Sequence, residues 1–199
     1  MRKPNTMTEL LKQNIAKHIL LSESELGKFV ESFKLITIKK KQFYLQEGEV
    51  CKYEGFVTHG LFKIYYLDDK GFENILNFAT NDWWIGDIDS FTNETPSQLF
   101  IEALEDSELL IINKLDKEKL YEELPKVEKL FRIMGQKSIV ALQRRLIDNI
   151  SKTADHRYID FMEKYPKIFQ RLTNLQIAAY LGISHEFLSK IRKKIALKK

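Results

Sequence analysis

The side chains with the clearest chemical potential lie near the carboxyl end of the chain, in a short segment rich in cations. Residues 184–194 place a serine, a histidine and a glutamate ahead of three lysines and an arginine. Lysine and arginine donate to phosphates and guanine, and a carboxylate accepts from cytosine, so this mixture suits the major groove of DNA. The residues expected on this surface are Thr173, Asn174, Ser184, His185, Glu186, Ser189, Lys190, Arg192, Lys193 and Lys194.

Two short helices joined by a tight turn must position these side chains. Thr173 followed by Gln176 is a capping box, so the first helix should begin near Asn174. Gly182 supplies the left-handed backbone that ends this helix, and Ser184 is placed to cap the second one. The pattern predicts a helix-turn-helix.

Small and apolar residues allow the two helices to cross closely. Ala178, four residues before Gly182, leaves room for the second helix. Leu188 and Ile191 form its apolar face, and Ile183 is expected between the helices. This arrangement is typical of DNA-binding proteins. The alternative is an ordinary helical hairpin whose charged residues are only solvated.

The charge is unevenly distributed along the chain. The 199 residues have a net charge of +4, but residues 151–199 carry eleven lysines and arginines against four acidic residues. That segment is therefore at +7 and the remainder at −3. The asymmetry favours a chain that offers one end to a polyanion. The alternative is a basic tail that serves only solubility.

The middle of the chain has the pattern of short strands. Residues 8–21 are predicted to be helical, and Ser22 with Glu25 forms a second capping box. From Leu35 the hydrophobic period changes to two, with turn-like segments such as QEGEV, LDDKGF and TNETPS between the runs. Strands at this spacing favour an antiparallel sandwich or barrel.

One long helix is predicted from Pro125 to about Ser151, because no further proline interrupts the run. A helix approaching 25 residues measures about 37 Å at 1.5 Å per residue, more than a domain of this size needs internally. We therefore expect it to pair with its copy in a second subunit; the alternative is a helix that packs wholly on its own barrel. Another helix should begin at Thr153 or Asp155 and stop at Pro166. The expected dimer stripe is Val127, Leu130, Phe131, Met134, Ile139, Leu142, Leu146 and Ile150.

Several classes of protein are disfavoured by the sequence. No apolar run reaches membrane-spanning length and the amino terminus lacks a signal-peptide core, so we expect a cytoplasmic protein without membrane contact. The single cysteine, Cys51, should serve packing. His59 is the only histidine in the strand region, which argues against a cupin-like metal enzyme. We expect no metal, no cofactor and no enzymatic activity.

The order of the elements resembles that of the Crp/Fnr family of bacterial transcription regulators, over essentially the whole chain. The segments LQEGEV, FVTHGLFKIYYLDDKG, WWIGD and RYIDFMEKYP are similar to family segments, and LTNLQIAAYLGISHEFLSKIRKK resembles a branch common in Bacteroidetes. The resemblance implies an α+β fold: an antiparallel β-roll (a jelly roll like that of cyclic nucleotide-binding domains), a long dimerisation helix and a carboxyl-terminal helix-turn-helix, winged-helix-like domain. Many relatives continue into a β-wing, so this chain either lacks most of the wing or is truncated.

The resemblance also implies three domains and an effector pocket. Residues 1–124 would form the sensor roll with amino-terminal helices, 125–151 the dimerisation helix and 152–199 the DNA-binding domain. In relatives that bind cyclic AMP, an acidic residue takes the ribose hydroxyl and an arginine holds the phosphate. The corresponding residues here are Gly86, Asp87, Ser97 and Gln98.

The missing arginine argues against cyclic AMP as the effector. No lysine or arginine lies anywhere between residues 70 and 114. A phosphate without a charge-assisted partner would lose on the order of 1.5–3 kcal/mol. Haem is also unsupported, because the four histidines fall on different elements. Either an unidentified small molecule or no effector remains.

The expected function is that of a homodimeric, sequence-specific regulator of transcription. The resemblance implies base reading by residues 185, 186, 189 and 190, where His185 replaces a common family arginine and Glu186 accepts from cytosine. Phosphate contacts are expected from Arg192, Lys193 and Lys194, and from Thr173 and Asn174. The expected partners are a palindromic double-stranded DNA, a second copy of the chain and RNA polymerase. The rival possibility is a ligand-binding or scaffold protein with a disabled helix-turn-helix.

Overall fold

Helices occupy both ends of the chain and strands its middle in the computed structural model, which describes residues 4–197 and their side chains from Met7 onward. Residues 1–3 and 198–199 of the outer predicted domains lie outside the described residues. The helices are α1 (Pro4–Ala16), α2 (Glu23–Glu31), α3 (Ile88–Asn93), α4 (Lys114–Glu123), α5 (Pro125–Ser151), α6 (Ala154–Lys164), α7 (Pro166–Phe169), α8 (Asn174–Leu181) and α9 (His185–Ala196). The strands are β1 (Lys34–Ile38), β2 (Phe43–Leu45), β3 (Tyr53–His59), β4 (Leu61–Leu67), β5 (Glu73–Thr80), β6 (Trp83–Ile85), β7 (Phe100–Ala103) and β8 (Ser107–Asn113).

The strands form two four-stranded sheets, in the orders β1-β8-β3-β6 and β2-β7-β4-β5. In the first sheet β8 lies antiparallel between β1 and β3, and in the second β2 runs antiparallel to β7. Most neighbours are not consecutive in sequence, so the chain crosses repeatedly between the sheets, as in a jelly roll. The α+β fold with an antiparallel roll is therefore confirmed.

Alternate residues of the first sheet face different partners, which explains why β8 is apolar on both sides. Leu109 and Ile111 belong to the core between the sheets, whereas Leu110 and Ile112 belong to a second core with the helices. Gly60 allows the β3–β4 turn: its φ is +113°, and a Cβ there would lie 2.9 Å from the Cα of Ser107.

The predicted packing role of Cys51 is confirmed. The residue is 3% exposed and lies in the core between the sheets. Its N–H donates to the hydroxyl of Ser90 (2.9 Å), and its thiol donates to the carbonyl of Tyr53 (3.3 Å). Burial raises the pKa of the thiol, which keeps it protonated and inert.

Backbone contacts divide the chain into two compact units. The first comprises the residues up to Ile64 with Phe78–Lys137, and the second comprises Tyr65–Asn77 with the residues from Ser138 onward. The long helix α5 begins in the first unit and ends in the second. The three-domain division expected from the sequence therefore stays a prediction. No helix of the described residues combines the length and hydropathy needed to cross a membrane.

The bounds of α5 agree with the predicted helix, but part of its expected dimer stripe is wrong. Val127 and Leu130 are fully buried in the core that α5 shares with α1, α2 and α4, and Phe131 and Met134 pack against that core. Val127 and Leu130 are therefore covered by their own subunit, whereas Phe131 and Met134 are half-buried and stay predicted members of the stripe. The apolar period alone does not distinguish the two roles, because the roll and a partner helix both bury apolar side chains. Ile139, Leu142, Leu146 and Ile150 are exposed.

Two predicted helix boundaries differ from the structure, one at the end of α1 and one after α6. The helix expected over residues 8–21 is α1 and ends at Ala16. Ile19 is buried although it lies outside the helix. The apolar spacing in the sequence therefore continues past the end of α1. Pro166 ends the region of α6, as expected, but it also begins the short helix α7.

Candidate nucleic-acid interface

The helix-turn-helix predicted from the capping residues is present as α8 and α9. The hydroxyl of Thr173 accepts from the N–H of Gln176 (3.3 Å), whose side-chain oxygen accepts from the N–H of Thr173 (2.8 Å). Gly182 has the left-handed φ of +65° that ends α8. The hydroxyl of Ser184 accepts from the N–H of Phe187 (3.2 Å) and so caps α9. These local interactions fix where each helix starts and stops.

Apolar side chains hold α8 and α9 together and leave one side of α9 to solvent. Ile177, Ala178 and Leu181 of α8 are buried, as are Leu188 and Ile191 of α9. The turn residue Ile183 is half-buried. An aromatic cluster supports α8 from behind, formed by Tyr158, Phe161, Phe169 and Tyr180 with ring centroids 4.5–5.8 Å apart.

The reading face, which we define as residues 185, 186, 189 and 190, lies on the amino-terminal turns of α9. His185, Glu186 and Lys190 are exposed, whereas Ser189 is half-buried and donates to the carbonyl of His185 (3.1 Å). The Glu186 carboxylate accepts from its own backbone N–H and then from Ser184, which lowers its pKa. Glu186 is therefore a persistent hydrogen-bond acceptor at the start of the helix.

The expected phosphate-binding residues differ in whether their side chains are already engaged. Arg192 donates to the side-chain oxygen of Asn174, and Lys194 pairs with Asp155. Among the described residues, Lys193 has no ion-pair partner and is exposed. Thr173 uses its hydroxyl as an acceptor in the capping box but retains the hydroxyl hydrogen for a phosphate. Of these three cations, Lys193 is thus the one available to a phosphate without rearrangement.

Two residues of this unit that the sequence analysis did not single out bear on the interface. Arg145 of α5 donates through Nη2 to the carbonyls of Ile75 and Tyr180, both at 3.1 Å. Phe187 is 47% exposed although it is a large apolar residue in the first turn of α9. The helical period could have revealed Phe187, because the residue lies off the face of Leu188 and Ile191. No local pattern signals the contact of Arg145 with Ile75.

The predicted effector pocket lies in the other unit, and its polar groups are bonded to one another. One oxygen of Asp87 accepts from the N–H groups of Asp89 (3.1 Å) and Ser90 (3.3 Å), capping α3. The other accepts from the hydroxyl of Ser97 (2.7 Å), which is 3% exposed. A ribose hydroxyl would compete with Ser97 for this carboxylate. Ser97 offers no positive charge to a cyclic phosphate.

The remaining pocket residues add no cation. Gln98 is exposed. A Cβ added to Gly86 would lie 3.8 Å from the Cα and Cγ of Glu54. Lys117 is close to this segment but pairs with Glu54, and its ammonium group lies 4.0 Å from the ring centroid of Phe131. A phosphate would therefore compete with a carboxylate for Lys117. The residues described contain no group of three or more potential metal-binding side chains.

Comparisons with known proteins identify the fold. Residues 35–123 match the model of the cyclic nucleotide-binding domain family. No curated protein sequence matches the chain. Among solved structures, the c-di-GMP-responsive global regulator CLP of Xanthomonas campestris superposes with a TM-score of 0.74 at 14% identity, over 89% of this chain and 93% of that one.

Two further structures have the same arrangement. FixK2 of Bradyrhizobium japonicum gives a TM-score of 0.73 at 17% identity, with 83% of this chain and 85% of that chain covered. A protein assigned to the Crp/Fnr family from Eubacterium rectale gives 0.69 at 17% identity, with 89% and 85% covered. Residues 35–123 therefore resemble the cyclic nucleotide-binding domain family, and the chain as a whole has the fold of the Crp/Fnr transcriptional regulators.

Proposed function

We propose that this chain is a homodimeric transcription regulator that binds a palindromic DNA site by placing α9 in the major groove. One observation carries the proposal: the first turns of α9 present His185, Glu186 and Lys190 to solvent, while Leu188 and Ile191 anchor the helix from behind. A recognition helix needs this combination of an anchored inner face and a polar outer face. The intact caps at Thr173 and Ser184 argue against a disabled helix-turn-helix.

Each side chain of the interface has a distinct task in this proposal. Glu186 accepts from the amino group of cytosine, and Lys190 and His185 donate to neighbouring base edges. Lys193, Arg192 and Lys194 bind phosphates on either side of the groove, with Thr173 and Asn174 at the start of α8. Lys194 reaches a phosphate only by leaving Asp155. This exchange replaces one ion pair with another, so its favourable free energy comes mainly from the counterions released from the DNA.

The second half of α5 supplies the subunit contact in the proposal. Ile139, Leu142, Leu146 and Ile150 are 57–78% exposed, and Ile147 is 61% exposed. An apolar stripe of this length is a common mark of a subunit interface. Pairing it with its copy across a twofold axis would set two α9 helices for half-sites about 34 Å apart, one helical turn of DNA.

The roll serves as a scaffold or binds a small molecule other than cyclic AMP. The bonded pair of Asp87 and Ser97 and the absence of a pocket arginine support this view. We expect cyclic AMP to leave both the melting temperature and the DNA affinity unchanged. The DNA-bound dimer would act on transcription through RNA polymerase.

Capture of genomic fragments by the full chain tests the proposed function. The purified protein selects fragments of its own genome without added ligand, and fluorescence anisotropy on the best fragment is then measured at several salt concentrations. We expect a palindrome with half-sites one turn apart, and a log–log salt slope of about −0.9 for every phosphate neutralised. Weak binding that is equal on all sequences would contradict the proposal.

The subunit contact has its own test. Leu142→Glu combined with Leu146→Glu should convert the dimer to a monomer in sedimentation velocity and abolish palindrome binding, because the charges would be buried against each other. Leu115→Glu is the matched control, since Leu115 is 71% exposed and belongs to a different helix, α4. A dimer that survives the double substitution would show that the contact lies elsewhere.

A further inference from the structure

Phe187 is an exposed aromatic residue on the helix that the proposed function places in DNA. It is the third residue of α9, and its N–H donates to the capping hydroxyl of Ser184. Its neighbour Leu188 is fully buried, whereas Phe187 remains 47% exposed. Within the described residues its ring makes no aromatic contact. The side chain therefore does not complete the core of its own unit.

The helical period puts the ring of Phe187 at the edge of the reading face. Successive helical residues are about 100° apart, so Phe187 is rotated by that angle from Leu188. It precedes Lys190 by three residues, a spacing at which side chains on a helix are neighbours. Lys190 is exposed and belongs to the reading face. The ring of Phe187 can therefore lie beside a base edge that Lys190 contacts.

The major groove offers a single apolar group to such a ring. Base edges there present hydrogen-bond donors and acceptors, and only thymine adds a methyl group, at C5. Phenylalanine has no donor or acceptor, so it gains nothing from the polar edges and loses water exposure beside a methyl. Resting on the proposed function, we infer that Phe187 contacts the 5-methyl group of a thymine in each half-site and thereby contributes to sequence selection.

This contact would distinguish A·T from T·A at one position, because the ring of Phe187 contacts the methyl group of thymine. Lysine and glutamate do not recognise that methyl group. Lys190 prefers guanine, and Glu186 prefers cytosine. Phe187 therefore reads a base pair that the charged residues leave unread. The half-site should contain a thymine adjacent to the pair read by Lys190.

The test removes the methyl group from the DNA and the ring from the protein. Each thymine of the selected palindrome is replaced in turn by deoxyuridine, which differs only by the missing methyl. Affinities are measured for the full-length wild type, for Phe187→Ala and for the control Leu115→Ala. At one thymine per half-site we expect deoxyuridine to weaken the wild type and Leu115→Ala about fourfold, the effect of one buried methyl. Phe187→Ala should bind both DNAs equally.

The possible failures are distinguishable. If the wild type selects a palindrome but no deoxyuridine substitution affects it, the inference about Phe187 is wrong and the proposed function stands. If Phe187→Ala still discriminates thymine from deoxyuridine, another residue reads the methyl and the inference is again wrong. If no palindrome is selected at all, the proposed function fails and the inference fails with it. The melting temperature of Phe187→Ala checks that its fold is intact.

Discussion

The guanidinium group of Arg145 lies over the ring of Tyr180, with its central carbon 4.2 Å from the ring centroid. Through Nη2 it also donates to the carbonyl of Tyr180 and to that of Ile75, seventy residues away in sequence. Burial lowers the pKa of Arg145 and raises that of Tyr180. One side chain thus connects α5, the β4–β5 hairpin and the first helix of the helix-turn-helix.

We expect Arg145→Met to lower the free energy of unfolding by about 2–3 kcal/mol, because it removes two charge-assisted hydrogen bonds and a cation–π contact. Arg145→Lys should lose less, since an ammonium group keeps the charge but not the planar geometry. Urea denaturation followed by circular dichroism measures both. Arg144→Met is the matched control, because Arg144 is exposed and has no partner among the described residues. Equal losses at 144 and 145 would contradict the assigned contact.

Lys193→Ala should weaken binding to every DNA sequence and reduce the salt slope by about one, as expected for the loss of one phosphate contact. Asp155→Ala should do the opposite, because it releases Lys194 and removes a negative charge near the DNA. Anisotropy on specific and random duplexes across a salt series gives both slopes. An unchanged slope for Lys193→Ala would remove this residue from the phosphate contacts.

Glu186→Ala should relax sequence preference more than it weakens binding. The carboxylate does not bind phosphates. Its removal therefore weakens the specific complex, which loses the hydrogen-bond acceptor for cytosine. We expect discrimination between the palindrome and a duplex with the read cytosine replaced to fall by about one decade, the order of one base contact. Competition binding with the two duplexes measures it. If affinity for specific and random DNA falls equally, Glu186 does not read a base.

Asp87→Ala should destabilise the roll by about 2 kcal/mol, because α3 loses its cap and the buried Ser97 hydroxyl loses its acceptor. Asp87→Asn retains the capping oxygen and should cost less. Thermal denaturation of the three proteins provides the comparison. A stable Asp87→Ala protein would indicate that the carboxylate serves ligand binding and does not stabilise the fold.

His18 should make stability fall in mild acid. Its pKa is lowered below 6.5, first by burial and then by repulsion from Lys137, whose ammonium nitrogen lies 3.3 Å from the ring nitrogen Nδ1. The unfolded chain therefore binds the proton more readily, so folding free energy is lost as the pH falls from about 6.5 toward the lower folded-state value. His18→Gln should lack this component and match the wild type above pH 7. Urea titrations at several pH values measure it, and parallel pH dependence of the two proteins would refute the assignment.

The features that the sequence predicts best are those set by neighbouring residues. The caps at Thr173 and Ser184 and the left-handed Gly182 act within one helical turn, so they could be read directly, and the structure confirms them. Pro125 likewise marks the start of α5. The assignment of α9 residues to bases and phosphates depends on DNA and stays a prediction.

The features that could not be predicted depend on distant segments. Asp87 matched a ligand-binding position by sequence order, yet its carboxylate bonds Ser97, ten residues away on another loop. Val127 and Leu130 had the right period for a dimer stripe, but residues of α1 and α2 cover them. Val127 and Leu130 have the expected chemistry and a different partner, while the role of Asp87 as a pocket residue stays a prediction. Only the tertiary fold decides between partners of the same kind.

The exposed stripe on α5 makes the proposed regulator sensitive to its own expression level. At subunit concentrations below the dimer dissociation constant, the amount of dimer grows as the square of the total protein. A doubling of synthesis would then quadruple the species that engages a palindrome, even with no signalling molecule present. Cellular abundance would thereby act as the input that a cyclic nucleotide supplies elsewhere, and a steep threshold in target-gene output would follow from a few leucines and isoleucines on one helix.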